Sequence, residues 1–355
     1  MNNMICTTFS EIDLNDSFFQ SLRDDYPGFD EWFARKRDQI AFVQFDDGGN
    51  VVGFLYLKKE EGSVDDVSPE IHAQKILKVG TFKINAHGTK LGEQFIRVIL
   101  DAAIKESADV CYVTIFEKHD SLIKLVEQFG FELYGTKGTG KNQENVYLKD
   151  MKRIRGDVCK DFPLVSINCG KKYLLSIYPK YHSVMFPDSI LKTEKRDIIT
   201  DVSYTNSIHK IYVCTMEGVE MLRKGDIVVL YRTAEEGKSA EYSSVATSVC
   251  VVEEIKFQRE FASFETFYQY ASQYSVFDKA DLRHWYNRGG CKAIKMTYNI
   301  ALDKRITRHD LIEDIGLDRN AYWGFFQLTN EQFLGIVNWG QPRHLVRNIL
   351  NIMND

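Results

Sequence analysis

Hydrophobic and polar positions along the 355 residues change period several times, and each change marks an element. In DSFFQSLRDDYPGFDEWFARKRD (16–38), Phe18, Phe19 and Leu22, then Phe29, Trp32 and Phe33, recur at helical spacing, so two short helices are predicted either side of Pro27-Gly28. IAFVQF (40–45) and VVGFLYLK (51–58) flank the Gly-rich turn DDGGN and predict a hairpin, followed by an acidic loop, EEGSVDDVSPE (60–70). KILKVGTFKI (75–84) predicts a strand, and 87–106 a helix with Leu91, Phe95, Val98, Ile99 and Ala102 as its apolar stripe. A strand (109–116), a helix closed by Gly130 (121–129) and two last strands, FELYGT and ENVYLKDM, complete this half.

A boundary is expected near 150. Residues 151–204 read as a structured linker, because Pro179 and Pro187 discourage helix there. Strand patterns resume at 209–216, 224–233 and 243–257, helices at 263–274 and 279–289, a strand at 291–302 and a closing helix at 329–339. The class expected is a two-domain α+β or α/β chain: a mixed sheet with flanking helices over 1–150, then a β-barrel domain with helices over 205–355.

Charge is uneven. Residues 1–150 hold 17 basic and 25 acidic residues, a net −8, and residues 151–355 hold 28 and 25, a net +3. That excludes a polycationic coat for nucleic acid and leaves only a local basic face on the second half. Apolar runs such as VVGFLYL and IVVLY are strand-sized, far short of a bilayer span, so no membrane is expected. The N-terminal MNNMICTTFSEIDLND shows no signal-peptide pattern. Seven cysteines without a C-x-x-C spacing read as reduced thiols in a cytoplasmic protein, with no metal expected.

The feature richest in chemistry is the strand–turn–helix at 77–106. A helix N-terminus offers unpaired N–H groups and the positive end of a dipole to a pyrophosphate, and glycines let the backbone approach it closely. Taken alone, a tight turn that needs glycine for its geometry explains the same residues.

HGTKLGEQFIRVILDAA resembles the acyl-CoA signature of the GNAT N-acetyltransferases, and KLVEQFGFELYG resembles their second signature, over about 1–150. The resemblance implies acetyl-CoA as acyl donor. It places pyrophosphate contacts on His87, Gly88, Thr89, Lys90, Leu91 and Gly92, and the pantetheine arm on the backbone of Phe82 and Ile84. His87 stands where the family has Arg or Gln, and Lys90 where it has the middle glycine. Val126 stands where a tyrosine often serves as general acid. His119 and Tyr134 are then the nearest catalytic candidates, with packing or capping as the alternative for each. A site without a strong base favours an α-amine over lysine, since about 10% of the former but about 0.04% of the latter is neutral at pH 7.

In the second half, IYVCTM, the Lys224-Gly225-Asp226 turn before IVVLYRT, SSVATSVCVVEEI and YWGFFQLTNEQFLGIV resemble the PUA-like superfamily of PUA, ASCH, EVE and YTH domains. That implies RNA binding in a pocket, with Trp285 beside Arg283 and Arg288 and Trp323 beside Arg319 as stacking candidates; core packing explains either tryptophan equally. The function expected is acetyl transfer to an RNA-linked amine, aminoacyl-tRNA being one option. The alternatives are a protein or small-amine acetyltransferase with an interaction module, and a catalytically silent RNA binder. Oligomeric state is not legible.

Overall fold

A computed structural model describes residues 4–85, 90–168, 170–186 and 207–340. The chain forms two compact units, Met1–Glu127 with Phe131–Asp150 and Met151–Asp355 with Gln128–Gly130. No helix among the described residues is long and apolar enough to cross a membrane.

The first unit runs β1 (Met4–Thr8), α1 (Gln20–Asp25), α2 (Phe29–Arg35), β2 (Ile40–Phe45), β3 (Val51–Val64), β4 (Val67–Ser68), β5 (Ile71–Ile84), α3 (Leu91–Lys105), β6 (Val110–Ile115), α4 (Asp120–Gln128), β7 (Glu132–Lys137) and β8 (Glu144–Asp150). Its eight strands form one sheet in the order β1-β2-β3-β5-β6-β8-β7-β4. Every neighbouring pair with a recorded register is antiparallel except β5 and β6, which are parallel.

Gly28 separates α1 from α2 in the left-handed region at φ +83°, which glycine tolerates best. Phe18, Phe19, Phe29 and Phe33 bury with Phe9 and Phe54 in one aromatic cluster against the sheet. The acidic stretch expected as a loop is mostly strand. The Glu60 charge is met from its own strand and from across the sheet: it accepts from Lys58 Nζ at 2.6 Å and from Tyr112 Oη of β6 at 2.8 Å, so the pairing survives. Helix α3 buries Phe95, Ile96, Ile99, Leu100, Ala103 and Ile104, a face turned slightly past the predicted stripe because Ile96 and Leu100 are as apolar as the residues chosen.

The second unit runs α5 (Val158–Asp161), β9 (Lys172–Ile177), α6 (Pro179–Met185), β10 (His209–Cys214), β11 (Ile227–Arg232), α7 (Ala240–Ser243), β12 (Val245–Phe257), α8 (Phe264–Ala271), α9 (Lys279–Arg288), β13 (Lys292–Thr307), α10 (Arg308–Glu313), β14 (Phe325–Leu328) and α11 (Asn330–Gly340). Its mixed sheet has the order β10-β13-β12-β11-β9-β14, with β9 and β11 parallel. Bulges interrupt the β12–β13 ladder at three points, and such bulges bend and twist a sheet. One core lies under Leu175, Val228 and Leu230, another under Leu174, Ile227 and Val229, so alternate residues of β9 and β11 feed opposite faces.

The stretch expected as a linker therefore supplies α5, β9 and α6, and β9 lies inside the sheet. Its prolines do not oppose this. Pro179 sits at the first turn of α6, where a missing N–H costs nothing, and Pro187 lies outside the described residues.

Candidate functional site

In the first unit the parallel strands part. β5 and β6 pair from Ile76/Val110 to Val79/Val113. Beyond that point β5 continues to Ile84 on β3, while β6 continues to Ile115 on β8. The cause is local. The β3–β5 register steps from Tyr56↔Thr81 to Leu57↔Val79 and leaves Gly80 as the extra residue of a bulge. A Cβ at Gly80 would lie 2.7 Å from Tyr56 Cδ1, so the close approach requires glycine. The bulge bends β5 away from its parallel neighbour.

Backbone direction then assigns the open edge. Asn85 N–H donates to Val52 O at 2.8 Å, toward β3. By the alternation of an antiparallel ladder, Thr81 and Lys83 also face β3, while the N–H and C=O of Phe82 and Ile84 face the gap. Helix α3 opens just past this edge, with Lys90 at its N-cap and Leu91 buried. His87, Gly88 and Thr89 lie outside the described residues. Gly92 is buried by packing: a Cβ there would meet Leu125 Cδ2 at 2.7 Å and Ile84 Cδ1 at 3.2 Å.

Past the C-terminal end of β6 sits a titratable cluster. The Asp25 carboxylate, 9% exposed, accepts from His119 Nε2 at 3.0 Å and from Lys118 Nζ. That bond directs Nε2 toward Asp25 and leaves Nδ1 as the ring's other basic position. Next along the chain, Tyr26 Oη donates to Glu144 Oε1 at 2.7 Å. Burial, and then the Glu144 charge, hold that phenol protonated far above its usual range. The Phe116 ring lies between, 5.3 Å from Tyr26 and 6.4 Å from His119. Tyr134 has a different partner: its hydroxyl donates to Glu70 O at 2.8 Å. Val126 is buried and brings no proton. Sequence reading reaches His119 without Asp25, Tyr26 or Glu144, since Glu144 lies 118 residues from Tyr26 and no spacing connects them.

In the second unit a cavity of about 450 Å³ is lined by Tyr178, Tyr231, Trp285, Arg308, Tyr322 and Trp323, among others. The two tryptophans, separate candidates in sequence, thus face one cavity. The Trp323 ring is 9% exposed, packs 5.3 Å from Tyr231, and carries the Arg308 guanidinium 4.4 Å above it. Trp285 is half-buried, with the Arg288 guanidinium 5.3 Å from its ring. Arg319 is engaged elsewhere, donating to Glu241 at 3.0 Å and Glu313 at 2.7 Å, while its carbonyl accepts from Trp323 Nε1 at 3.4 Å. Arg308, not singled out in the sequence, lines the cavity together with Lys238. Tyr178 and Tyr322, both lining the cavity, are 56% and 65% exposed.

No family model matches the chain. No curated protein matches it either. Among solved structures, the chain is similar to the ASCH protein from Zymomonas mobilis (9% identity, 47% of this chain and 94% of that one, TM-score 0.34). It is similar to an IAA acetyltransferase from Bacillus cereus (11%, 42% and 99%, 0.30). It is also similar to a GNAT family acetyltransferase from Elizabethkingia anophelis with acetyl-CoA bound (6%, 42% and 99%, 0.30). Its structural neighbours thus include GNAT acetyltransferases and an ASCH protein.

Proposed function

We propose that the chain is an acyl-CoA-dependent N-acyltransferase, acetyl-CoA being its donor, whose acceptor is an amine on an RNA, in the first instance the α-amine of an aminoacyl-tRNA. The observation that carries the donor half is the parting of β5 and β6 after Val79/Val113. The edge of Phe82 and Ile84 offers a peptide-like arm the donors and acceptors of a missing strand, as pantetheine with its two amides requires. The start of α3 beside it suits the pyrophosphate.

His119 would take the proton from the attacking amine at Nδ1, with Asp25 fixing the ring and stabilising the imidazolium. The amine nitrogen bonds the acyl carbon as the carbon–sulfur bond breaks, and the leaving thiolate takes a proton from the His119 imidazolium or from water, while Tyr26, held protonated on Glu144, keeps its own. A histidine base matches an α-amine near pKa ~7.8 better than a lysine near ~10.4. The aromatic cavity of the second unit would hold a base of the same RNA by stacking.

The test is acyl transfer from radiolabelled acetyl-CoA to aminoacyl-tRNA, to lysine peptides and to small amines, with wild type and His119→Ala. Expected is transfer to the α-amine, with kcat lowered at least about 100-fold in His119→Ala and KM for acetyl-CoA little changed. Transfer to lysine peptides alone would favour a protein acetyltransferase. RNA binding without any transfer would identify a silent RNA binder.

A further inference from the structure

Cys159, His209 and Glu253 converge in the second unit, and neither the proposed transfer chemistry nor the aromatic cavity uses them. One donor atom from each lies within 4.8 Å of the other two. Each is aimed by its own element. Cys159 is on α5, where the Asp157 carboxylate caps the helix by accepting from the Cys159 and Lys160 N–H groups, both at 3.0 Å. His209 opens β10 and is 2% exposed, its ring held edge-on to Tyr274 with centroids 5.0 Å apart. Glu253 is the residue that the β12–β13 ladder skips between Val252↔Met296 and Glu254↔Lys295, and a bulge re-aims the side chain it carries.

Glu253 Oε1 lies 2.5 Å from His209 Nδ1, while Oε2 lies 3.7 Å from Cys159 Sγ and 3.0 Å from Lys295 Nζ. We infer that these three side chains bind a borderline divalent transition metal, zinc(II) fitting best, which fastens α5 to the sheet. A thiolate, an imidazole and a carboxylate select such an ion over calcium or magnesium. Zinc would hold sulfur at about 2.3 Å and nitrogen and oxygen at about 2.0–2.1 Å. Tetrahedral angles at those lengths put the donor atoms about 3.3–3.6 Å apart, so the His209–Glu253 pair opens from its hydrogen-bond distance while the Cys159 sulfur already lies near that range of the Glu253 carboxylate. Lys295 can stay on Oε2 as the outer partner that steadies a ligating carboxylate. Cys159 is partly exposed, which gives the ion a way in, and the fourth position falls to water. Nothing in sequence spacing shows the set, since 94 residues separate Cys159 from Glu253.

The experiment is titration of the chelator-treated full chain with cobalt(II), then zinc(II). Expected are saturation at one equivalent, a thiolate-to-cobalt charge-transfer band, its loss on adding zinc, and a higher melting midpoint with either ion. Cys159→Ser should abolish the band and the rise in midpoint, with its metal-free circular dichroism matching wild type. Cys6→Ser, at an exposed thiol of the first unit, should leave both intact. No charge-transfer band in the wild type, or a band retained in Cys159→Ser, overturns the assignment. If Cys159→Ser is misfolded, Glu253→Gln replaces it, with a weakened cobalt affinity expected and an unchanged one overturning.

Discussion

His182 shows what burial does to one side chain. It is fully enclosed on α6, and its Nε2 pairs with Thr247 Oγ1 at 2.8 Å. Burial first, then the Arg232 and Arg305 charges, push its pKa from 6.5 down to about 3. The folded ring is therefore neutral, whereas the unfolded chain takes up a proton below about pH 6.5. Stability from this group is fully present above pH 6.5 and is lost as pH falls toward 3, on the order of 1 kcal/mol per pH unit. His182→Gln, which keeps a polar atom for Thr247, should flatten that acid limb. Urea unfolding at pH 7 and pH 4.5 should show wild type losing on the order of 2 kcal/mol more than the variant. Equal losses would mean that the buried ring does not govern acid stability.

At the level of a helix start, Gly92 joins two explanations that a sequence cannot separate. A glycine in the first turn of α3 suits a bound phosphate, but the space around it is filled by Leu125 and Ile84. Gly92→Ala should therefore cost about 1–3 kcal/mol of stability through overpacking, read as a lower thermal midpoint. Lost acetyl-CoA binding with an unchanged midpoint would instead assign this glycine to the ligand. The same contrast explains which elements are legible. Helices α1, α2, α3 and α4 and the hairpin of β2 and β3 follow from periodicity and turn residues, because each buries one continuous face of its own. The acidic end of β3 reads as loop because Tyr112, 52 residues away, satisfies Glu60, and β9 reads as linker because its partners β11 and β14 come later in the chain. Gly80 carries a readable signal, an isolated glycine within a strand, yet its partner in the bulge is Tyr56, which only the fold reveals.

Across the whole molecule, charge limits how the proposed RNA acceptor would be held. With a net −8 on residues 1–150 and +3 on 151–355, a broad electrostatic coat is not available, and affinity has to come from a pocket with a few cations. Arg308 and Lys238 line the aromatic cavity and Arg288 sits on Trp285. If these neutralise about three phosphates, the log–log salt slope for single-stranded RNA should be near −2. The tryptophans, equivalent on the sequence, now separate. Trp323 is 9% exposed and belongs to a core cluster, so Trp323→Ala should lower the melting midpoint by an amount corresponding to about 3–5 kcal/mol. Trp285 is half-buried at the cavity, so Trp285→Ala should instead weaken RNA binding by about 1–3 kcal/mol, the worth of one stacked base, with a much smaller change in the melt. Binding curves for full-length wild type and both variants at several salt concentrations, each paired with a melt, check this. A slope far steeper than about −2 with Trp285→Ala binding as wild type would move the RNA off the cavity and onto a surface of Lys and Arg side chains.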